Sequence, residues 1–145
     1  MNDSCFALSS DTMLPRGAFA RPALLLVKLG NDIAARAEDP LAEIGLSGRQ
    51  YMVLAVLSAD TPPSQQELAG LCGLLPAQVV LAVDELERRG LVARTRSEAD
   101  RRRSVVTLTD EGTKVLSRAD ELGERLVADL DPEVRQVAID ALRPA

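Results

Sequence analysis

The residues best suited to bind a charged partner are arginines concentrated in one short segment. Residues 88–103 contain seven arginines and two acids, a net charge of +5, whereas the whole 145-residue chain carries −5. The other 129 residues therefore carry −10. The arginines are Arg88, Arg89, Arg94, Arg96, Arg101, Arg102 and Arg103, and the acids are Glu98 and Asp100. Such a basic segment on an acidic body predicts a polyanionic partner for that segment.

The sequence offers little for catalysis or metal binding. Histidine is absent, which removes the commonest general base and the commonest metal ligand. The two cysteines, Cys5 and Cys72, predict free thiols in a reducing compartment. The apolar stretch Ala23 to Val27 is too short for a membrane span, and residues 1–20 show no secretory signal. We therefore expect a cytoplasmic binding protein with no enzymatic activity, cofactor, metal site or membrane partner.

The first half of the chain predicts an arm followed by helices. Residues 1–17 lack periodicity and predict a flexible arm. Apolar residues at helical spacing predict a helix from about 18 to 37, ended by Asp39-Pro40. Ser47 is expected to cap a second helix over 48–59, with Met52, Val53, Val56 and Leu57 facing inward.

The middle of the chain predicts a helix-turn-helix followed by a hairpin. Ser64 and Glu67 form a capping-box pattern for a helix that runs to Cys72 and stops at Gly73. Pro76 occupies a favoured first position for the next helix, which is expected to end at Gly90. Residues 91–96 and 104–108 have the β-branched content of two paired strands, with residues 98–103 at the tip.

The C-terminal part predicts two more helices. Thr109 is expected to cap a helix that extends to about Leu130, and Asp131-Pro132 starts the last one. The order predicts a mainly α (α+β) fold: a winged helix-turn-helix with a two-stranded β wing. The terminal helices carry more apolar surface than one small lobe can cover, which favours their burial against a second copy.

Two motifs in the middle of the chain resemble the MarR family. The first runs from Glu67-Leu68-Ala69 to Asp84-Glu85-Leu86-Glu87-Arg88-Arg89-Gly90-Leu91-Val92. The second is Asp100-Arg101-Arg102 followed by Val106-Thr107-Leu108-Thr109-Asp110-Glu111-Gly112. The resemblance implies one domain over 18–145, with a winged lobe at 47–112 and dimerisation helices in 18–46 and 113–145. It also implies a homodimer on a pseudo-palindromic operator in double-stranded DNA, often released by a small phenolic or aromatic ligand.

The wing contains the residues that the resemblance assigns most directly to DNA. By family position, Arg102 is expected to enter the minor groove. Asp100 would orient a wing arginine, and Arg101 and Arg103 would contact phosphates or flank the tip. A solvated charged turn is the alternative. Arg94 and Arg96 lie two apart on a strand, hence on one face, and either line the wing near the DNA backbone or form a solvated surface.

The predicted recognition helix, 76–89, departs from the family pattern. Leu75 stands where a capping Ser or Asp is usual, and Leu81 stands where Arg is common. Gln78 offers a bidentate amide suited to adenine, and Ala77, Val80 or Leu81 could pack on a thymine methyl. Either the protein relies on its wing and on DNA shape, or this helix face binds another protein.

The two cysteines receive different interpretations. The segment Cys5-Phe6-Ala7-Leu8 is similar to the region around the peroxide-sensing cysteine of the OhrR branch, which makes a thiol switch a third hypothesis. No neighbour that would lower a thiol pKa accompanies Cys5. Cys72 is expected in the core. Tyr51 is expected either in the core or beside a ligand pocket.

Overall fold

The computed structural model describes residues 21–61, 63–96 and 104–142. Their elements are α1 (Pro22–Glu43), α2 (Gly48–Leu57), α3 (Gln65–Cys72), α4 (Pro76–Arg88), β1 (Val92–Arg96), β2 (Ser104–Leu108), α5 (Asp110–Leu126) and α6 (Pro132–Leu142). The strands form one antiparallel pair, in register from Val92 opposite Leu108 to Arg96 opposite Ser104. The prediction of a mainly helical fold with a two-stranded wing is confirmed. The predicted arm, 1–17, lies outside the described residues.

The predicted end of the first helix is wrong. Helix α1 continues through Pro40 to Glu43, although a proline cannot donate the backbone hydrogen bond expected at its position. The turn after Pro40 carries Leu41, only 3% exposed, into the hydrophobic core. The helix then closes at Gly45, where φ is +74°, and the Leu46 N–H donates to the Leu41 carbonyl at 2.8 Å. Burial of Leu41 therefore decides where the helix stops.

The chain divides into two compact units. The first, Ala37–Leu122, contains α2, α3, α4 and the hairpin, and it extends beyond the predicted lobe at both ends. Its core includes six side chains with no exposed surface, Val53, Leu54, Leu68, Val79, Val83 and Leu86. Cys72 is 5% exposed in the same core, which confirms the prediction for it.

Two predicted boundaries and one predicted inward residue near this core are wrong. Helix α2 ends at Leu57. Its last α-helical backbone hydrogen bond runs from the Ser58 N–H to the Leu54 carbonyl oxygen, at 3.1 Å. Met52 is 44% exposed, and Leu54 takes the inward position instead. Helix α5 ends at Leu126 rather than near Leu130.

Local caps set the starts of α2 and α3. The Gln50 N–H donates to Ser47 Oγ at 3.3 Å, and Gln50 Oε1 accepts from the Ser47 N–H at 2.9 Å. Ser64 and Glu67 make the same pair of bonds at 3.3 and 2.8 Å. Gly73, with φ of +62°, ends α3 in the left-handed conformation that allows the tight turn into α4. The predicted caps at Ser47 and Ser64 are confirmed.

Hydrogen bonds from Thr109 hold the start of α5 to Gly90 and Leu91, the residues that follow α4. The Thr109 hydroxyl donates to the Gly90 carbonyl at 2.7 Å and accepts from the Gly112 N–H at 3.0 Å. The Thr109 N–H donates to the Leu91 carbonyl at 3.1 Å. A Cβ on Gly112 would lie 1.9 Å from that carbonyl oxygen, so the approach requires glycine. The predicted cap at Thr109 is confirmed.

The second unit comprises residues 1–36 and 123–145, described here over 21–36 and 123–142. Its helices carry large apolar side chains on the surface: Leu24, Leu26 and Val27 of α1, and Val134, Val137 and Ile139 of α6. Their exposed fractions run from 41% to 67%. An ion pair joins Arg135 to Glu124 at 2.6 Å, and another joins Lys28 to Asp32.

None of the described helices is by itself long and apolar enough to cross a membrane, and α3 and α4, which are bent by 108° at the break between them, reach that length and apolarity only as a pair.

Candidate nucleic-acid interface

Helix α4 has one buried and one exposed face. Val79, Ala82, Val83 and Leu86 point into the lobe, as the spacing of the apolar residues predicts. Ala77, Val80, Leu81 and Asp84 occupy the opposite, exposed face at positions three and four apart. In a helix-turn-helix, the second helix presents such a face to the major groove. Ala77, Val80 and Leu81, with Gln78 at the edge of this face, therefore lie on one surface. They are the four residues of α4 that the sequence suggests as contacts to DNA bases.

The start of α4 is capped in an unusual way. Leu75 is the N-cap residue, and its side chain cannot accept a hydrogen bond. Gln78 Oε1 accepts from the Leu75 N–H at 3.0 Å, which is the half of a capping box that the third residue of a helix supplies. The contact with adenine to which the Gln78 side chain is suited needs both its carbonyl oxygen and its amide nitrogen. In this structure the carbonyl oxygen is engaged by the helix itself.

Arg94 joins the base of the wing to α4. Its guanidinium donates to Glu87 Oε2 at 2.5 Å and also to Asp84, and its backbone N–H donates to Glu87 Oε1 at 3.3 Å. Partial burial disfavours the charge, but the hydrogen bonds that the guanidinium donates to Asp84 and Glu87 outweigh it and raise the pKa of Arg94. The side chain is 26% exposed. Its charge is thus already matched by two carboxylates, and the interpretation that places it near the DNA backbone stays a prediction.

Gln50 is a structural residue of this surface that the sequence analysis missed. It is 7% exposed, and its Nε2 donates to Glu85 Oε2 at 2.6 Å, which ties α2 to α4. The Ser47-x-x-Gln50 pattern is a capping-box signal and could have marked it. A depression of about 260 Å³ between the starts of α2 and α4 is lined by Arg49, Gln50, Gln78 and Leu81, among others. Arg49, exposed at its rim, was also missed.

The wing is anchored at its base. Val105 of β2 pairs with Ser64, the cap residue of α3, in an isolated antiparallel bridge. Arg96 ends β1 opposite Ser104, and its side chain lies outside the described residues. The four residues assigned to the wing tip, Asp100, Arg101, Arg102 and Arg103, also lie outside them, as does Cys5. For these five residues the sequence expectations stand as predictions.

The remaining candidates have local roles in the lobe. Arg89 is exposed, and its guanidinium donates to the Gly45 carbonyl after α1, while Arg88 is exposed at the end of α4. Tyr51 packs against the core and its hydroxyl donates to Asp120 Oδ1 at 3.0 Å. These contacts agree with the core interpretation of Tyr51. Burial of Cys72 raises the pKa of its thiol, which disfavours the reactive thiolate.

The sequence matches known proteins over this lobe. Residues 44–103 match a family model described as MarR family. The repressor MdtR of Bacillus subtilis is 34% identical over 89 residues, which are 61% of this chain and 57% of MdtR. The transcriptional regulator HosA of Escherichia coli O157:H7 is 33% identical over 104 residues, 68% of this chain and 76% of HosA. The chain therefore covers less than two thirds of MdtR and about three quarters of HosA.

The fold also matches solved structures. CouR from Rhodococcus jostii RHA1, bound to p-coumaroyl-CoA, superposes with a TM-score of 0.73 at 30% identity, covering 88% of this chain and 93% of CouR. The repressor CouR bound to a 23-mer DNA duplex gives 0.73 at 31% identity, covering 90% and 96%. These similarities extend over both compact units of the chain.

Proposed function

This chain belongs to the MarR family, and we propose that it is a homodimeric repressor of transcription that binds a pseudo-palindromic operator. One observation carries the proposal: α3, α4 and the wing form a single compact unit in which α4 presents an exposed face. Residues 88–103, from the end of α4 through the wing, carry a net charge of +5 on a chain whose net charge is −5. Helix α4 would enter the major groove while Arg102 of the wing enters the minor groove. This model is supported by the DNA complex of CouR.

The surface of α1 and α6 supports the dimer. Six large apolar side chains are exposed there, which is more than isolated surface residues would require. A second copy would bury them in a symmetric interface. The sequence resemblance assigns the same helices to dimerisation.

Ligand response and cellular location complete the proposal. CouR is solved with p-coumaroyl-CoA, and we propose that a small aromatic ligand, free or as a thioester, releases this protein from DNA. The relatives are named as transcriptional regulators, and we propose a cytoplasmic binding protein that catalyses no reaction.

The test is fluorescence anisotropy with a labelled duplex from upstream of the protein's own gene, titrated across a range of salt concentrations. We expect specific binding with a steep salt dependence. Arg102→Ala should weaken it by about tenfold or more, since an arginine in the minor groove contributes roughly 1–3 kcal/mol. Arg118→Ala, an exposed arginine of α5, serves as the matched control and should have little effect.

Two outcomes would contradict parts of the proposal. Unchanged affinity in Arg102→Ala would show that the wing assignment is wrong. Binding no stronger than to an unrelated duplex would reject operator recognition as a whole. Adding p-coumaroyl-CoA and p-coumarate to the preformed complex tests the ligand class in the same assay.

A further inference from the structure

The first two turns of α4 present an apolar surface. Leu75 is 68% exposed, Val80 41% and Leu81 67%, and Ala77 is exposed beside them. Leu71, at the end of α3, is 65% exposed. From Pro76 to Val83 the helix contains no charged residue, and its one polar side chain is Gln78. We define Ala77, Val80 and Leu81, with Leu75 at the cap, as the apolar face of α4.

Three of the polar residues that border this face are already bonded within the lobe. Gln78 Oε1 caps the helix, Glu85 Oε2 accepts from Gln50 Nε2 at 2.6 Å, and Asp84 is paired with Arg94. Hydrogen bonding to base edges by these groups would compete with their internal bonds. The aliphatic side chains, with Arg49 and Gln78 Nε2 beside them, are the groups that remain for a partner.

We infer that the apolar face of α4 reads thymine C5-methyl groups in the major groove of the operator. The inference rests on the proposed function, which places α4 in that groove. Thymine is the base that presents a methyl group there, and contact with apolar side chains is the recognised way to read it. Leu81 lies at the centre of the face, one turn from Ala77, and is the residue expected to contribute most.

The surroundings favour DNA over a protein as the occupant. The four side chains of the face are too few to supply the roughly 800 Å² per partner that stable protein interfaces bury. Arg49, which is exposed and lines the same depression as Leu81, places a positive charge beside the face that complements phosphates. Arg94 also pairs with Asp84 and Glu87 and so reduces the negative charge on this side of the helix that would repel the DNA backbone.

The test compares an operator duplex with copies in which single thymines of each half-site are replaced by deoxyuridine. This replacement removes the methyl group and keeps every hydrogen-bonding group of the base. The duplex is first obtained by selecting binders to the wild-type protein from random-sequence DNA. We expect the affinity to fall about fourfold for each contacted methyl, the factor that corresponds to burying one such group.

Protein variants assign the effect to the face. Leu81→Ala should bind the thymine operator more weakly and should lose the difference between thymine and uracil at one position of each half-site. Met52→Ala removes an exposed apolar side chain from α2 and should keep the difference in full. Both positions are on the surface, and thermal unfolding monitored by circular dichroism checks that the variants fold.

Each possible result decides between the two proposals. Tight operator binding that is indifferent to uracil would overturn methyl readout and leave the repressor proposal standing. If uracil weakens the binding of Leu81→Ala as much as it weakens the binding of the wild type, the loss of affinity arises from DNA shape. This result would also overturn the inference. If no sequence is enriched, both proposals fail, and the face would be assigned to a protein partner.

Discussion

Arg94 shows how one side chain changes its role when tertiary contacts are known. Its position on a strand of the basic segment predicts either a place near the DNA backbone or a solvated surface, because sequence alone shows the charge and the strand face. The structure pairs it with Asp84 and Glu87, which precede it by ten and seven residues on another element. Gln78 changes role for a similar reason, since its side-chain carbonyl oxygen accepts the hydrogen bond of the Leu75 backbone N–H. Such assignments depend on which groups folding brings together, and the sequence pattern does not contain that information.

Replacing Arg94 tests whether it acts through the two acids. Arg94→Gln leaves Asp84 and Glu87 unpaired on the side of α4 that faces DNA, where like charges are repelled. We expect the operator affinity to fall by about tenfold at low salt, since such repulsion costs of order 1 kcal/mol or more. The free energy of unfolding should fall by about 1 kcal/mol or less, because the pairs are partly exposed.

The matched control is the triple variant Asp84→Asn, Glu87→Gln, Arg94→Gln, which removes the acids together with the arginine. Its affinity should return to within about twofold of the wild type. A triple variant that stays as weak as Arg94→Gln would instead show that Arg94 contacts the DNA itself. Anisotropy for binding and urea denaturation for stability provide both measurements.

At the scale of elements, local patterns predicted most boundaries of the winged lobe. The starts of α2, α3 and α5 follow from Ser47, Ser64 and Thr109, because a capping side chain bonds to a backbone group three residues away. The end of α1 did not follow from Pro40. A proline costs the helix about 3 kcal/mol, but burial of Leu41 against distant residues offsets it. Locally determined boundaries were therefore predictable, and boundaries set by the core were not.

The junction between the wing and α5 makes a strong prediction. In Gly112→Ala the new methyl would meet the Leu91 carbonyl oxygen at 1.9 Å, so the start of α5 must move away from the wing. We expect the free energy of unfolding to fall by about 3 kcal/mol. Gly70→Ala, within α3, meets nothing within 4 Å and should be neutral or stabilising by up to about 1 kcal/mol.

Chemical denaturation of the two variants, side by side, measures the difference. Equal stability of Gly112→Ala and Gly70→Ala would mean that α5 does not pack on the Leu91 carbonyl as described. The junction would then not connect the wing to α5.

At the scale of the whole molecule, the terminal helices predict self-association. Leu26 of α1 and Leu81 of α4 are both 67% exposed, which makes them a matched pair on two different surfaces. Leu26→Glu would bury an unpaired charge in the proposed dimer interface, at a cost of several kcal/mol. We expect it to sediment as a monomer at micromolar concentration, as should Val137→Glu on α6. Leu81→Glu should remain a dimer.

Sedimentation velocity at several concentrations gives the result. A wild-type protein that is folded and monomeric at micromolar concentration would rule out the dimer. Dimers of unchanged stability in both α1 and α6 variants would place the interface elsewhere. The excess of apolar residues in the terminal helices was visible in the sequence, but their exposure in a single chain could be measured only in the structure.

The anchoring of the wing base has a consequence for how a ligand could regulate this protein. Ser64 holds β2 to the start of α3, Arg94 holds β1 to α4, and Thr109 holds the exit of the hairpin to Gly90. The base of the wing therefore has little freedom to rearrange within a lobe. Two such lobes on DNA must match successive turns of the double helix, about 34 Å apart. A ligand that leaves every lobe intact can still prevent binding by changing the distance between the two recognition helices, so that only one half-site is in phase at a time.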